Sequence, residues 1–162
     1  MSDISQLIST LRPQGNGLVT VLGEDGKTPI WYRQKPRLYS IQVVRTAVAS
    51  AQVPNNIIQI DQGTLPFMLV SLHADDTSDT TNILVQEPWF VQAQDNDDSF
   101  YWTSQITSRS AFFGGRDFGK VLPEPVPIRP LTRITFTIQN AVVPTGAGTA
   151  TLTLFGWQFF KL

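Results

Sequence analysis

Ser71-Leu-His73-Ala-Asp75 is the stretch that places a nucleophile, a base and an acid in close order. On a strand, side chains alternate, so these three polar residues share one face. Cα atoms two apart stand about 6.6 Å from each other on that face. Parallel side chains at that spacing do not give the ~2.6–3.2 Å contact that a nucleophile–base pair requires. His73 is the single histidine of the chain, so no second Ser–His arrangement exists. We read the three as the wet face of a strand whose other side is core. The absence of cysteine removes disulfides, thiolate metal ligands and a cysteine nucleophile.

Acids gather further on: Asp75, Asp76, Asp79, Glu87, Asp95, Asp97 and Asp98 fall in a stretch without Lys or Arg. Asp95, Asp97 and Ser99 imitate the first ligands of a calcium loop. The imitation then breaks, because Phe100 stands where the loop needs Gly and Ile106 where it needs Glu. Turn-forming aspartates explain the cluster better than a metal does. Gly114-Gly-Arg-Asp-Phe-Gly119 contains kinase letters without the lysine strand, catalytic loop or nucleotide loop that belong with them. Pro127-Ile-Arg-Pro130 fits a polyproline connection between strands better than a peptide ligand. We therefore expect no catalytic residue, no cofactor and no metal.

The basic counterpart is Lys27, Arg33, Lys35, Arg37 and Arg45, with Trp31, Tyr32 and Tyr39 interleaved and no acid between Gly26 and Ile60. Stacking with cation contacts holds single-stranded nucleic acid or sugars. Aromatic residues and arginine also enrich protein interfaces. An ordinary amphipathic strand has the same letters, so all three readings stand. If basic and acidic stretches form opposed surfaces, copies of the chain can meet head to tail.

The elements that must position these residues are mostly strands. The chain has 162 residues, enough for one domain or one domain with an arm. Charged residues make up 15%, against about 25% in ordinary globular chains, and the net charge is −1. A strongly basic nucleic-acid footprint is thereby excluded, and no specific nucleic acid is expected as partner. No apolar run is long enough to span a membrane as a helix, and the opening residues lack the pattern of a secretory leader. Ile4, Leu7, Ile8 and Leu11 follow helical spacing, with Ser2 or Asp3 to cap and Pro13, Gly15 and Gly17 to stop. A helix this short must dock, on its own sheet edge or on a neighbour.

Strand signals fill the rest. Leu18–Leu22 and Thr28–Arg33 flank the turn Gly23–Lys27, and a longer stretch runs from Leu38 to Val53 until Pro54-Asn-Asn56 closes it. Ile57–Asp61, Leu65–Ala74, Ile83–Val85, Trp89–Gln94 and Phe100–Ile106 follow, with Met68, Val70, Leu72 and Ala74 expected on one face. Pro123, Pro125, Pro127 and Pro130 predict an extended path outside any ladder. Arg133–Ile138 and Thr149–Leu154, the latter continuing to Phe160, end the chain. Short strands at regular spacing predict an all-β, antiparallel sandwich or barrel. We divide it into an N-terminal helical arm, residues 1–17, a hairpin and extended-strand region, 18–56, and a β-sandwich core, 57–162.

From Ile57 onward the chain resembles small structural proteins of tailed-bacteriophage virions. The residues that carry this are Ile57-Ile-Gln-Ile-Asp61, Gln105-Ile-Thr-Ser-Arg-Ser-Ala-Phe-Phe113, the proline connection, and the final pair Arg133-Ile-Thr-Phe-Thr-Ile-Gln-Asn140 and Ala150-Thr-Leu-Thr-Leu-Phe-Gly156. The resemblance implies a jelly-roll-like β-sandwich, present in many copies and acting by adhesion rather than catalysis. It implies a capsid decoration or cement protein that bridges capsid subunits in the virion, assembled in the host cytoplasm. The implied partners are the major capsid protein or other virion proteins, and copies of itself as a homo-oligomer, with no membrane. A neck, collar or tail protein is the alternative. A carbohydrate-binding sandwich, with Trp31, Trp89, Tyr101 or Trp102 as stacking platform, is a second. The candidate interface residues are Ile4, Leu7, Ile8 and Leu11 on the arm, and Trp31, Tyr32, Arg33 and Arg37 on the basic stretch.

Overall fold

A computed structural model of the chain describes residues 11–45, 51–76, 89–95, 100–103, 105–114, 119–140 and 148–162. Among these residues are eleven strands: β1 Arg12–Gly15, β2 Leu18–Leu22, β3 Pro29–Arg45, β4 Gln52–Gln59, β5 Phe67–Asp76, β6 Trp89–Asp95, β7 Phe100–Tyr101, β8 Thr107–Ser108, β9 Lys120–Ile128, β10 Arg133–Asn140 and β11 Gly148–Lys161. One short helix, α1, covers Arg109–Phe113 and is capped by the Ser108 hydroxyl, which accepts from the Ala111 N–H at 3.3 Å. All pairing is antiparallel. One sheet has the order β1-β2-β3-β11-β5-β9, the other β4-β10-β6-β7, with β8 also on β6.

The expected helix over Ile4, Leu7 and Ile8 lies outside the described residues, as does Ile83–Val85. Its predicted stop is a hairpin instead. Asn16 and Gly17 have φ of 51° and 71° and join β1 to β2, the left-handed pair that an Asn-Gly type I′ turn uses. Leu11 precedes β1 without helical structure.

Prolines mislead in three more places. β3 runs unbroken through Pro36, because β2 pairs only with Pro29–Arg33 and the strand's outer edge is open beyond that point. β4 runs through Pro54, which we read as a stop. It is an edge strand with a bulge, where Pro54 and Asn55 (φ 63°) together oppose Thr137. The Asn56 amide stitches that bulge by donating to the carbonyls of Val53 and Phe136, at 2.7 and 3.1 Å. The proline run we placed outside any ladder is β9, the last strand of the larger sheet. Val126–Ile128 and Lys120–Val121 pair with β5, while Leu122–Pro125 loops out between them.

The expected apolar face Met68, Val70, Leu72 and Ala74 is divided. Gly156 pairs with Leu69 and Phe155 with Ser71, so Val70 is an extra residue in β5. A one-residue bulge reverses the alternation. Phe67 and Leu69 are buried on one side of it, Leu72, Ala74 and Asp76 on the other. Met68 faces the opposite way, into a second cluster.

The larger core draws on both sheets. Val43, Leu72, Ala74, Leu152 and Leu154 of the first meet Trp89, Val91, Ile134, Phe136 and Ile138 of the second, with Phe112 and Phe113 from α1. At one end a polar group ties the sheets together. The buried Arg45 guanidinium donates to the Asp76 carboxylate and, at 3.2 Å, to the Asn140 side-chain carbonyl. The Trp89 indole N–H donates to the same Asp76 oxygen at 2.9 Å. The smaller core holds Val19, Val21, Tyr32, Leu65 and Phe159, flanked by Leu11, Ile30, Met68 and Trp157. Trp157 and Phe159 alternate with Leu152 and Leu154 along β11, so this cluster lies on the opposite face of the larger sheet.

Candidate interaction surface

β3 has 17 residues and β11 has 14, whereas β4 and β10 have 8 each. The smaller sheet ends level with Tyr39, whose hydroxyl accepts from the Asp61 N–H at 3.1 Å. Before Arg37, therefore, β3 carries on past the second sheet, and the face that was core becomes a shelf on which only the shorter Thr20 and Gln158, opposite Trp31 and Lys35, are buried.

Alternation decides what that shelf presents. Trp31, Arg33, Lys35 and Arg37 all point to it and all are exposed. β11 adds Phe160, directly opposite Arg33, and β1 adds Arg12, opposite Thr20, which itself pairs with Trp31. Trp31 and Phe160 are each 44% exposed, high for side chains of that size. The Lys35 ammonium stands 5.2 Å from the Phe160 ring centroid. The Arg37 guanidinium lies 5.4 Å from the Tyr39 ring and pairs with Asp61. These cation–ring contacts hold the charges over apolar surface. Arg33 and Lys35 have no carboxylate partner among the described residues. Burial raises the Tyr39 phenol above its ordinary pKa, partly offset by the Asp61 N–H. Hydrogen bonding to Tyr39, then to Asp61, raises that of Arg37.

Of the expected interface residues, Trp31, Arg33 and Arg37 come together here. Tyr32 does not: it points to the other face, 4% exposed, opposite Val19 in the smaller core. Burial there raises its pKa. Leu11 packs partly buried against that same cluster. Ile4, Leu7 and Ile8 lie outside the described residues. Lys35 belonged to the basic stretch without being singled out, and an odd-numbered alternation from Trp31 to Arg37 identifies it. Phe160 had no local signal, because only the β3–β11 register brings it to Arg33.

The other motifs are placed as follows. Ser71, His73 and Asp75 point away from Leu72 and Ala74, and Asp75 accepts from the next residue's N–H at 2.8 Å. Trp89 is fully buried and Trp102 is half-buried, stacked on Phe112 with ring centroids 6.5 Å apart, so neither is an open platform. Pro127 is paired with Met68 and Ile128 with Phe67, which commits the P-x-x-P segment to the sheet. Asp79, Glu87, Asp97, Asp98 and the Gly115–Phe118 part of the glycine motif lie outside the described residues, and Tyr101 is described in its backbone alone. Among the described residues no three His, Cys, Asp or Glu side chains gather as a metal site would need.

No protein-family model matches the chain, and neither a curated protein nor a solved structure matches it significantly. The shelf combines cations and rings on one face of a sheet.

Proposed function

We propose that this chain is a non-catalytic β-sandwich module that docks through its shelf onto an acidic, partly apolar protein surface. We further propose that it serves a tailed-phage virion, as a capsid decoration or cement protein. The observation that carries the docking reading is the uncovered face with Trp31, Arg33, Lys35, Arg37 and Phe160 on one side of an overhanging sheet. The strand orders support a jelly-roll. With the β1–β2 hairpin set aside, β3-β11-β5-β9 faces β4-β10-β6-β7, and the first long strand lies beside the last. The chain crosses between sheets at β3–β4, β4–β5, β5–β6, β8–β9, β9–β10 and β10–β11. Viral capsid domains and lectins share that architecture, so the site has to separate them. A shelf with several cations and no open neutral groove favours an acidic protein over a glycan.

The test is co-sedimentation of the purified chain with particles from cells that produce it. Wild type is expected to travel with the particles in many copies, and Arg33→Glu with Lys35→Glu to stay in the supernatant while melting normally. Wild type that stays in the supernatant, or that is released by neutral oligosaccharide rather than by salt, overturns the reading. A few copies per particle would move the chain to the neck or tail.

A further inference from the structure

A recess of ≈ 340 Å³ opens at the side of the molecule where β9 loops out. Leu69, Leu72 and Leu122 line one wall, and the stacked pair Trp102 and Phe112 lines the other. The looped-out Leu122–Pro125 segment is what keeps the wall apart, since β9 leaves β5 there and rejoins it at Val126. The recess is of the size that takes small molecules, ~300–1,000 Å³.

Three polar residues, Thr103, Thr107 and Lys120, break its apolar lining. The Thr103 hydroxyl oxygen is buried and has no hydrogen-bond partner among the described residues, an arrangement that costs stability unless something else satisfies it. At the rim, Lys120 is held by donation from its ammonium to the Ala111 carbonyl, at 2.9 Å. An ammonium has three donors, so two stay available. An apolar cleft with a held cation at its mouth selects an apolar body with an anionic head.

We propose that this recess binds a small amphipathic carboxylate, its apolar part between Leu122 and Phe112 and its carboxylate on Lys120. The site is separate from the shelf and does not depend on the docking reading.

Decanoate and decanol are the probes, followed by the NMR shift of the Trp102 indole N–H. Decanoate is expected to saturate at one per chain and to bind roughly tenfold tighter than decanol, as a charge-assisted contact implies. Lys120→Met is expected to erase that preference, and Leu122→Trp, which fills the recess, to abolish both. Arg33→Glu with Lys35→Glu leaves decanoate binding unchanged, so a failed shelf and a failed recess are told apart. No saturable shift, or equal affinity for the two probes, overturns the proposal; equal affinity marks a recess for an apolar side chain of another protein. Unchanged decanoate binding in Leu122→Trp overturns it as well.

Discussion

Asp76 accepts from a guanidinium, through Arg45, and from an indole, through Trp89, in a place where water does not reach. A buried ion pair adds little over a well-packed apolar substitute, but losing one partner strands the other charge and costs about 3–5 kcal/mol. Asp76→Ala should therefore lower the unfolding free energy by about that amount in urea titration. A loss under about 1 kcal/mol would mean that Arg45 finds water or another partner at no cost. Asp25 is the opposite case, a carboxylate fully in solvent. The Thr28 hydroxyl first, then the N–H groups of Thr28 and Lys27, lower its pKa from 3.8 to about 2. The folded value lies below the unfolded one. Its support of the β2–β3 turn is thus complete above pH ~4 and is lost as pH falls through about 2. A carbon-13 titration of the Asp25 carboxyl should give a midpoint near 2, moving up toward the ordinary value in Thr28→Val. A wild-type midpoint near 4 contradicts the turn geometry.

At the scale of the element, legibility follows from what sets each strand's pattern. β10 and β11 were readable because one face of each is core along most of its length, so Ile134, Phe136 and Ile138 alternate with Thr and Gln. β9 was not, because an edge strand needs only some of its donors, and proline's local signature says nothing about where the edge is. The reversal at Val70 was hidden for a related reason: the bulge is set by β11, above all by Gly156. A Cβ on Gly156 would overlap the Met68 carbonyl oxygen and come within 2.6 Å of the Phe67 ring. Neither partner is near it in sequence. Of the candidate surface, Trp31, Arg33 and Arg37 were legible from residue type, Tyr32 was misplaced by ignoring alternation, and Phe160 needed the register. Two measurements test the bulge. Gly156→Ala should cost on the order of 1–3 kcal/mol or more, since the clash is with backbone rather than a flexible tip. Deleting Val70 should restore simple alternation with Phe67, Leu69, Leu72 and Ala74 all still on the core face. Near-UV circular dichroism is expected to keep its fixed aromatic signal in the deletion, and loss of that signal would refute the bulge assignment.

The whole molecule is unequal from end to end. One end is closed by the Arg45, Asp76, Trp89 and Asn140 group, which holds both sheets, and the larger core adjoins it. The other is a single sheet that projects beyond its partner, stabilised on one face by Val19, Val21, Tyr32, Leu65 and Phe159 and open on the other. Three of the edges offer little to a partner strand: β1 has four residues with Pro13, β4 is bulged at Pro54, and β9 carries Pro123, Pro125 and Pro127, whereas the outer edge of β3 stays open beyond Arg33. Among the faces, the shelf is the one with both charge and rings. Such a division should appear in hydrogen exchange, because opening free energy follows local burial. The overhanging end buries far less side chain than the double-layered part, so its paired amides, those of β2 and the β3 residues opposite it, should exchange through a sub-global opening. Amides of Ile134–Ile138 and Leu152–Leu154 should exchange only at the global limit. Binding an acidic partner to the shelf would then slow the first set and leave the second unchanged, because a ligand stabilises only the openings that release it. Equal protection of both sets in the free chain would mean that the two cores unfold as one unit, and the shelf would then be as rigid a platform as the layered part beside it.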